Sequence, residues 1–323
     1  MPPSPPRLDE HGFPIPATFD NEPARRRPPR KFQIVWRSAL VVACIAVLLG
    51  LVFQSSVADE AKQWAADWLI KRAQEKERLS DPQGALAEVN RAASLAPDNP
   101  RVLEIRAHLK QTLNDVEGSL EDYNAIIKLD RRYAPAYLGR SIALQRLNRH
   151  QEAIDDLTQV IKLSPSRDAM PRNNRAYARA MAGVELHEAL GDVQQAITMV
   201  EENLARESLM PSKYAVMIVA FAKRDKAVCL DTRGYIYFLQ NQYNEALADL
   251  ELAIQLTDEF RRFWLSQVPA EHHPYYERQF DHELSVMYHH RGQVYEKLGK
   301  LEESRADLDL AKQLGYNPAE GVF

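Results

Sequence analysis

Cysteine is nearly missing from this chain: Cys44 and Cys229 are the only two in 323 residues. That scarcity excludes a disulfide framework and any zinc site built on several thiolates. Glycine is scarce too, at 12 residues, and the glycine patterns that cradle phosphates or dinucleotides do not occur. There is no GxxxxGKS/T, no GxGxxG and no GxSxG nucleophile elbow, so these nucleotide-dependent and hydrolase classes are excluded. Nor is one sign of charge in excess. A formal net charge of -4 gives no basic footprint, and no nucleic-acid partner is expected. A 45% hydrophobic fraction excludes wholesale disorder. A mean hydropathy of -0.43 excludes a polytopic membrane protein.

Long apolar runs are missing with one exception. Residues 38–53 form 16 consecutive positions without a charge, and extending back to Ile34 gives 20 with only Arg37 interrupting. About 20 residues rising 1.5 Å each cross a 30 Å hydrocarbon core, so 34–54 reads as one transmembrane helix in the lipid bilayer. Trp36 stands where an interfacial aromatic belongs. Residues 1–33, rich in Pro and Arg, read as a disordered tail. The basic cluster Arg25, Arg26, Arg27, Arg30 and Lys31, with Arg37, precedes the run, while Asp59 and Glu60 follow it. The positive-inside rule then places the N-terminus in the cytoplasm and everything after the span outside. Ser56, Val57 and Ala58 would suit a signal peptidase, but so long a basic region before the run favours an uncleaved anchor.

From Asp59 onward the pattern is helical, and it repeats. Six segments share a small residue at one place of an amphipathic helix: Ala85, Ser119, Ala153, Ala196, Ala246 and Ser304, the first two intervals being 34 residues. An Arg followed by a small residue lies 12 positions upstream in five of them: Arg72-Ala73, Arg106-Ala107, Arg140-Ser141, Arg233-Gly234 and Arg291-Gly292. In the fourth segment Ala176, after Arg175, lies 20 before Ala196, which predicts a turn about eight residues longer around 181–188.

At these residues the chain resembles the tetratricopeptide repeat family, whose unit is a helix–turn–helix of 34 residues. The third segment supplies Tyr137, Ser141, Leu144, Ala153, Leu157 and Pro165 in the family's pattern, and the fifth Leu230, Gly234, Tyr237, Ala246, Leu250 and Ala253. The resemblance covers roughly 61–318 and implies an all-α solenoid. About six repeats are expected, near 66–99, 100–133, 134–167, 169–208, 227–260 and 285–318. Helical insertions near 209–226 and 261–284 should lengthen the hairpins of the C-terminal half.

What the resemblance implies about function is a non-enzymatic scaffold without a cofactor, holding a peptide or partner protein in a groove lined by the first helices. Groove-facing candidates are Leu138, Ile142, Arg146, Asp231, Tyr235 and Phe238, joined by Trp264 and Tyr276 in the second insertion. Some family members grip a partner's terminal carboxylate with Lys and Asn at two groove positions. Those positions read Ile70/Gln74, Glu104/His108, Leu138/Ile142 and Asp231/Tyr235 here, so that clamp is missing.

Each repeat Arg is followed 16 positions later by an acid in five units: Arg72/Glu88, Arg106/Asp122, Arg140/Asp156, Arg233/Asp249 and Arg291/Asp307. One partner falls on each helix of a hairpin, which suits a structural clamp repeated along a scaffold better than a ligand site. The fourth unit is expected to break the rule, with Met199 opposite Arg175. A rival reading comes from His272, His273, His282, His289 and His290. The rival is a ligand- or metal-binding envelope sensor using the His-rich segment 272–290, in which His282 and His289 share a helix face and are the metal candidates.

Overall fold

The computed structural model describes residues 57–164, 168–207 and 215–317, so the tail at 1–33 and the apolar run at 34–54 lie outside the described residues. Ala61–Phe323 forms one compact unit, and of Met1–Glu60, a separate one, only 57–60 are described. Among the described residues no helix is long and apolar enough to cross a membrane.

Twelve α-helices follow one another and no strand occurs among the described residues. They are α1 (57–78), α2 (Pro82–Leu95), α3 (Pro100–Thr112), α4 (Val116–Leu129), α5 (Ala134–Arg146) and α6 (His150–Leu163). The remainder are α7 (Met170–Ala182), α8 (Leu186–Glu207), α9 (Ala215–Leu239), α10 (Tyr243–Gln267), α11 (His273–Lys297) and α12 (Leu301–Gln313). Each helix packs on its sequence neighbours, and the first helices α3/α5, α7/α9 and α9/α11 also touch, as in a tetratricopeptide-type solenoid of six hairpins.

The chain's own residues punctuate the hairpins. Asp81 and Asp115 cap α2 and α4 by accepting from the Gly84 and Gly118 amides at 2.8 and 3.0 Å. Prolines occupy the first turn of α2, α3, α5, α7 and α11, where the missing N–H has no helical partner to lose. Eight positions after every repeat Arg the backbone turns left-handed, at Ser80, Asn114, Asn148, Gly183, Asn241 and Gly299. Five of the six are Asn or Gly, residue types that tolerate positive φ, so the turn chemistry is written into those units, with Ser80 the exception. Close approach of the two helices needs the small residue after the Arg. A Cβ on Gly234 would stand 2.8 Å from Leu250 Cγ, which is closer than packed atoms sit.

The fourth hairpin corrects one expectation. Its turn is not eight residues longer: α7 ends at Ala182 and α8 begins at Leu186, with Gly183 and Glu185 both left-handed between them. The small anchor facing Ala176 is therefore Ala189 rather than Ala196, and both are fully buried. They lie seven residues apart on the same face of a 22-residue helix.

The extra residues of the C-terminal half lengthen helices instead of forming separate elements. Helices α9, α10 and α11 each have 25 residues, where α2 to α7 have 13 or 14. Aromatic rings fill the space between their extensions. Phe221 lies 5.2 Å from Phe260 and 5.4 Å from Trp264, Phe280 lies 5.8 Å from Phe260, and Tyr276 lies 5.5 Å from Trp264. Such tilted and edge-on pairs contribute beyond the area they bury.

Candidate functional site

The lengthened α11 brings distant parts of the chain together. Arg278 donates to Ser80 Oγ at 2.8 Å and Arg78 donates to His272 Nε2 at 3.2 Å, joining the turn of the first hairpin to residues almost 200 positions away. Between these two parts lies a cleft of about 680 Å³. Its N-terminal wall carries Glu77, His108 and Thr112, and its C-terminal wall carries Arg224, Tyr275, Arg278, Gln279, His282 and Glu283. A smaller recess of about 310 Å³ beside it is lined by Arg78, His272, Tyr275, Tyr276 and Gln279.

Most side chains lining the cleft carry a polar or charged group, and the charges are mutually engaged. Glu77 lies 3.5 Å from His108 Nε2 and, with Glu104, draws the His108 imidazole above its ordinary range. Glu104 also accepts from Tyr133 at 2.6 Å. Across the cleft Arg224 pairs with Glu283, leaving Arg278 and Gln279 exposed. His282 Nε2 is a buried atom without a hydrogen-bond partner. This arrangement offers donors, acceptors and a tyrosine ring to an extended chain, which is what recognition of a polypeptide segment uses.

The sequence candidates distribute as follows. Tyr276 lines the smaller recess, and Ile142 is half-buried on α5. Leu138 packs on the core formed by Ile154, Leu157 and Ala178. Arg146 donates to the Gln111 carbonyl at 2.8 Å and to Asn114 Oδ1 at 2.9 Å, fastening the third hairpin to the turn of the second. Asp231 is a correction. It is 1% exposed and accepts from His290 Nδ1 at 2.9 Å, so it offers no groove surface. Tyr235 stacks on His290 with ring centroids 4.5 Å apart, Phe238 packs on Tyr243, and Trp264 belongs to the aromatic cluster of the extensions. His282 and His289 do not converge. His289 stacks on Tyr316 at 4.0 Å while His282 lines the cleft, and no group of three metal-ligating side chains occurs among the described residues. His108, Thr112 and Gln279 carry the cleft, and Gln279 stood out by no pattern in the sequence.

The repeat arginines lie between helices. Arg106 donates from Nε to Asp122 at 2.9 Å, Arg140 to Asp156 at 2.8 Å, Arg233 to Asp249 at 2.6 Å and Arg291 to Asp307 at 2.7 Å. Arg72 reaches Glu88 at 3.1 Å. The outer nitrogen of three of them crosses to the preceding hairpin: Arg140 to Asn124, Arg175 to Thr158 and Arg233 to Gln194, at 2.6, 3.1 and 2.8 Å. In the fourth unit the partner of Arg175 is Asp192, not Met199.

Tetratricopeptide-repeat family models match residues 134–167, 227–257 and 285–314. Three of the chain's hairpins carry the tetratricopeptide-repeat signature. PilW, a type IV pilus biogenesis factor, is similar in structure with a TM-score of 0.53 at 14% identity, over 79% of this chain and 96% of that one. The APC/C hetero-tetramer Cut9-Hcn1 gives a TM-score of 0.51 at 13% identity, over 72% of this chain and 39% of the other. A thermophilic tetratricopeptide protein of Thermus thermophilus gives 0.46 at 19% identity, over 62% and 98%. At these identities the likeness is one of fold. No curated protein matches the chain.

Proposed function

We propose that this chain is a membrane-anchored, non-enzymatic scaffold that holds a segment of a partner protein in the cleft between α3 and α11. Tetratricopeptide repeats are protein-interaction scaffolds, and three matched hairpins support that class. The observation that carries the finer reading is the cleft itself. Here the α11 extension meets the first hairpin at Ser80, which gives the groove a second wall and leaves an open cleft of about 680 Å³ between the two. Anchoring rests on the uncharged run 38–53 and the basic cluster before it, which also favour a solenoid on the extracytoplasmic side.

Thr112 tests the site. It is exposed on the cleft wall and outside the core, so Thr112→Trp fills the cleft while leaving the hairpins intact. Crosslinked pull-down of the full chain from its native membranes should recover a defined partner set, and Thr112→Trp should lose it with an unchanged melting temperature. Retention of the same partners by the variant would move the site elsewhere.

A further inference from the structure

We infer that the open face of α1 lies against the surface of the lipid bilayer through Trp64 and Trp68, an inference that rests on the anchoring proposed above. Two positions of every first helix form the seam to the preceding hairpin: four residues before the repeat Arg and three after it. The earlier position is occupied by Val102, Ala136, Cys229 and Met287, each no more than 1% exposed, and by buried Pro171. The later one is Leu109, Ala143, Ala178, Ile236 and Val294, each 0% exposed.

In α1 the same two positions are Trp68 and Glu75, and both are exposed. One helical turn before Trp68 stands Trp64, 73% exposed, with Trp68 at 49%. Glu75 keeps one end of this terminal seam polar, as an end repeat requires. The two indoles leave the other end apolar.

The opposite end of the solenoid is different. Helix α12 exposes Glu302, Glu303, Arg305, Asp309 and Lys312. Stacking that end on the α1 face of a second copy would bury these charges, so head-to-tail assembly of copies does not explain the tryptophans. Indole is the side chain that settles in the bilayer interface, with an apolar body and one N–H donor. The uncharged run 38–53 ends fifteen residues before Trp68, so the anchored chain carries this face close to lipid. Glu60, Lys62, Asp67, Lys71 and Arg72 nearly balance in charge around the rings, and Arg72 lies over Trp68 at 4.8 Å. Adhesion therefore comes from the indoles and needs no anionic lipid.

The test uses the full chain reconstituted in phosphatidylcholine vesicles whose lipid is brominated near the top of the acyl chains. In a Trp36→Phe/Trp264→Phe background, emission from Trp64 and Trp68 should fall about twofold on bromination and be insensitive to salt. A second variant guards against misfolding: in the otherwise unaltered chain, Trp64→Ser with Trp68→Ser should remove a large part of the quenchable emission. A chain that resists alkaline extraction but shows unquenched Trp64 and Trp68 overturns the inference alone, as does crosslinking between copies through these positions. A chain released at high pH overturns the anchoring and the inference with it.

Discussion

Arg175 and Asp192 form a two-point pair, Nε to Oδ2 and Nη2 to Oδ1, both at 2.7 Å, and Arg179 reaches the same carboxylate. One acid on α8 therefore holds two guanidinium groups one helical turn apart on α7, while the third nitrogen of Arg175 reaches back to Thr158 on α6. The three-way arrangement explains why these charges sit half-buried in a scaffold. Each clamp closes its own hairpin, and those of Arg140, Arg175 and Arg233 also tie it to the one before.

Asp192→Ala should accordingly be more damaging than Arg179→Ala. Loss of the acid leaves Arg175 partly buried without its carboxylate and Arg179 with only the exposed Glu185 at 2.8 Å, a change that costs about 3 kcal/mol, whereas loss of Arg179 leaves the Arg175 pair intact and costs about 1–2 kcal/mol. Thermal unfolding of the full chain in detergent checks the ranking. Equal losses for the two variants would contradict it.

Arg140→Ala should lower the melting temperature by about 5 °C or more, because Asp156 is left buried without its two-point partner and Asn124 loses its donor. Partner capture at a temperature where the variant is folded should be unchanged. Captured partner lost at unchanged stability would turn the clamp into a binding residue.

Two groups should shape the pH dependence of stability in opposite senses. Burial, with Asp168 and Glu283 near it, pushes the Asp225 carboxyl up to about 6. Its folded value exceeds the unfolded one, so its contribution is full below about pH 4 and is lost as pH rises through about 6. Burial and His290 push His289 down to about 4, so its contribution is full above about pH 6.5 and is lost as pH falls through about 4. Asp225→Asn should therefore raise the melting temperature at neutral pH and leave it unchanged near pH 4. His289→Gln should flatten the acid side of the curve. Melting temperatures across that range decide both, and an Asp225→Asn gain confined to acid would reverse the assigned sign.

How far the fold could be read from residues depended on whether the signal was local. The repeat Arg, the small residue after it and the left-handed turn eight positions later are all within one hairpin, and five pairings at a separation of 16 could be placed from sequence. The fourth unit misled for a definite reason. Ala189, Val193, Ala196, Ile197 and Val200 are all buried along one face of α8, so choosing Ala196 as the anchor slid the pattern by two helical turns and put Met199 where Asp192 belongs. Asp231 was misjudged because its cover, His290, lies on a helix 59 residues further on. The cleft was invisible for the same reason on a larger scale. Its walls meet through Arg278 and Ser80, 198 residues apart, and no periodicity encodes the superhelical path that joins them.

The most direct test of the central claim is site-specific photo-crosslinking from the full chain in its native membranes, with the photoreactive residue at Gln279 in the cleft or at Glu303 on the charged outer end. The account predicts a discrete protein adduct from Gln279, abolished by Thr112→Trp, and none from Glu303. An adduct from Glu303 with none from Gln279 would contradict the cleft as the binding site.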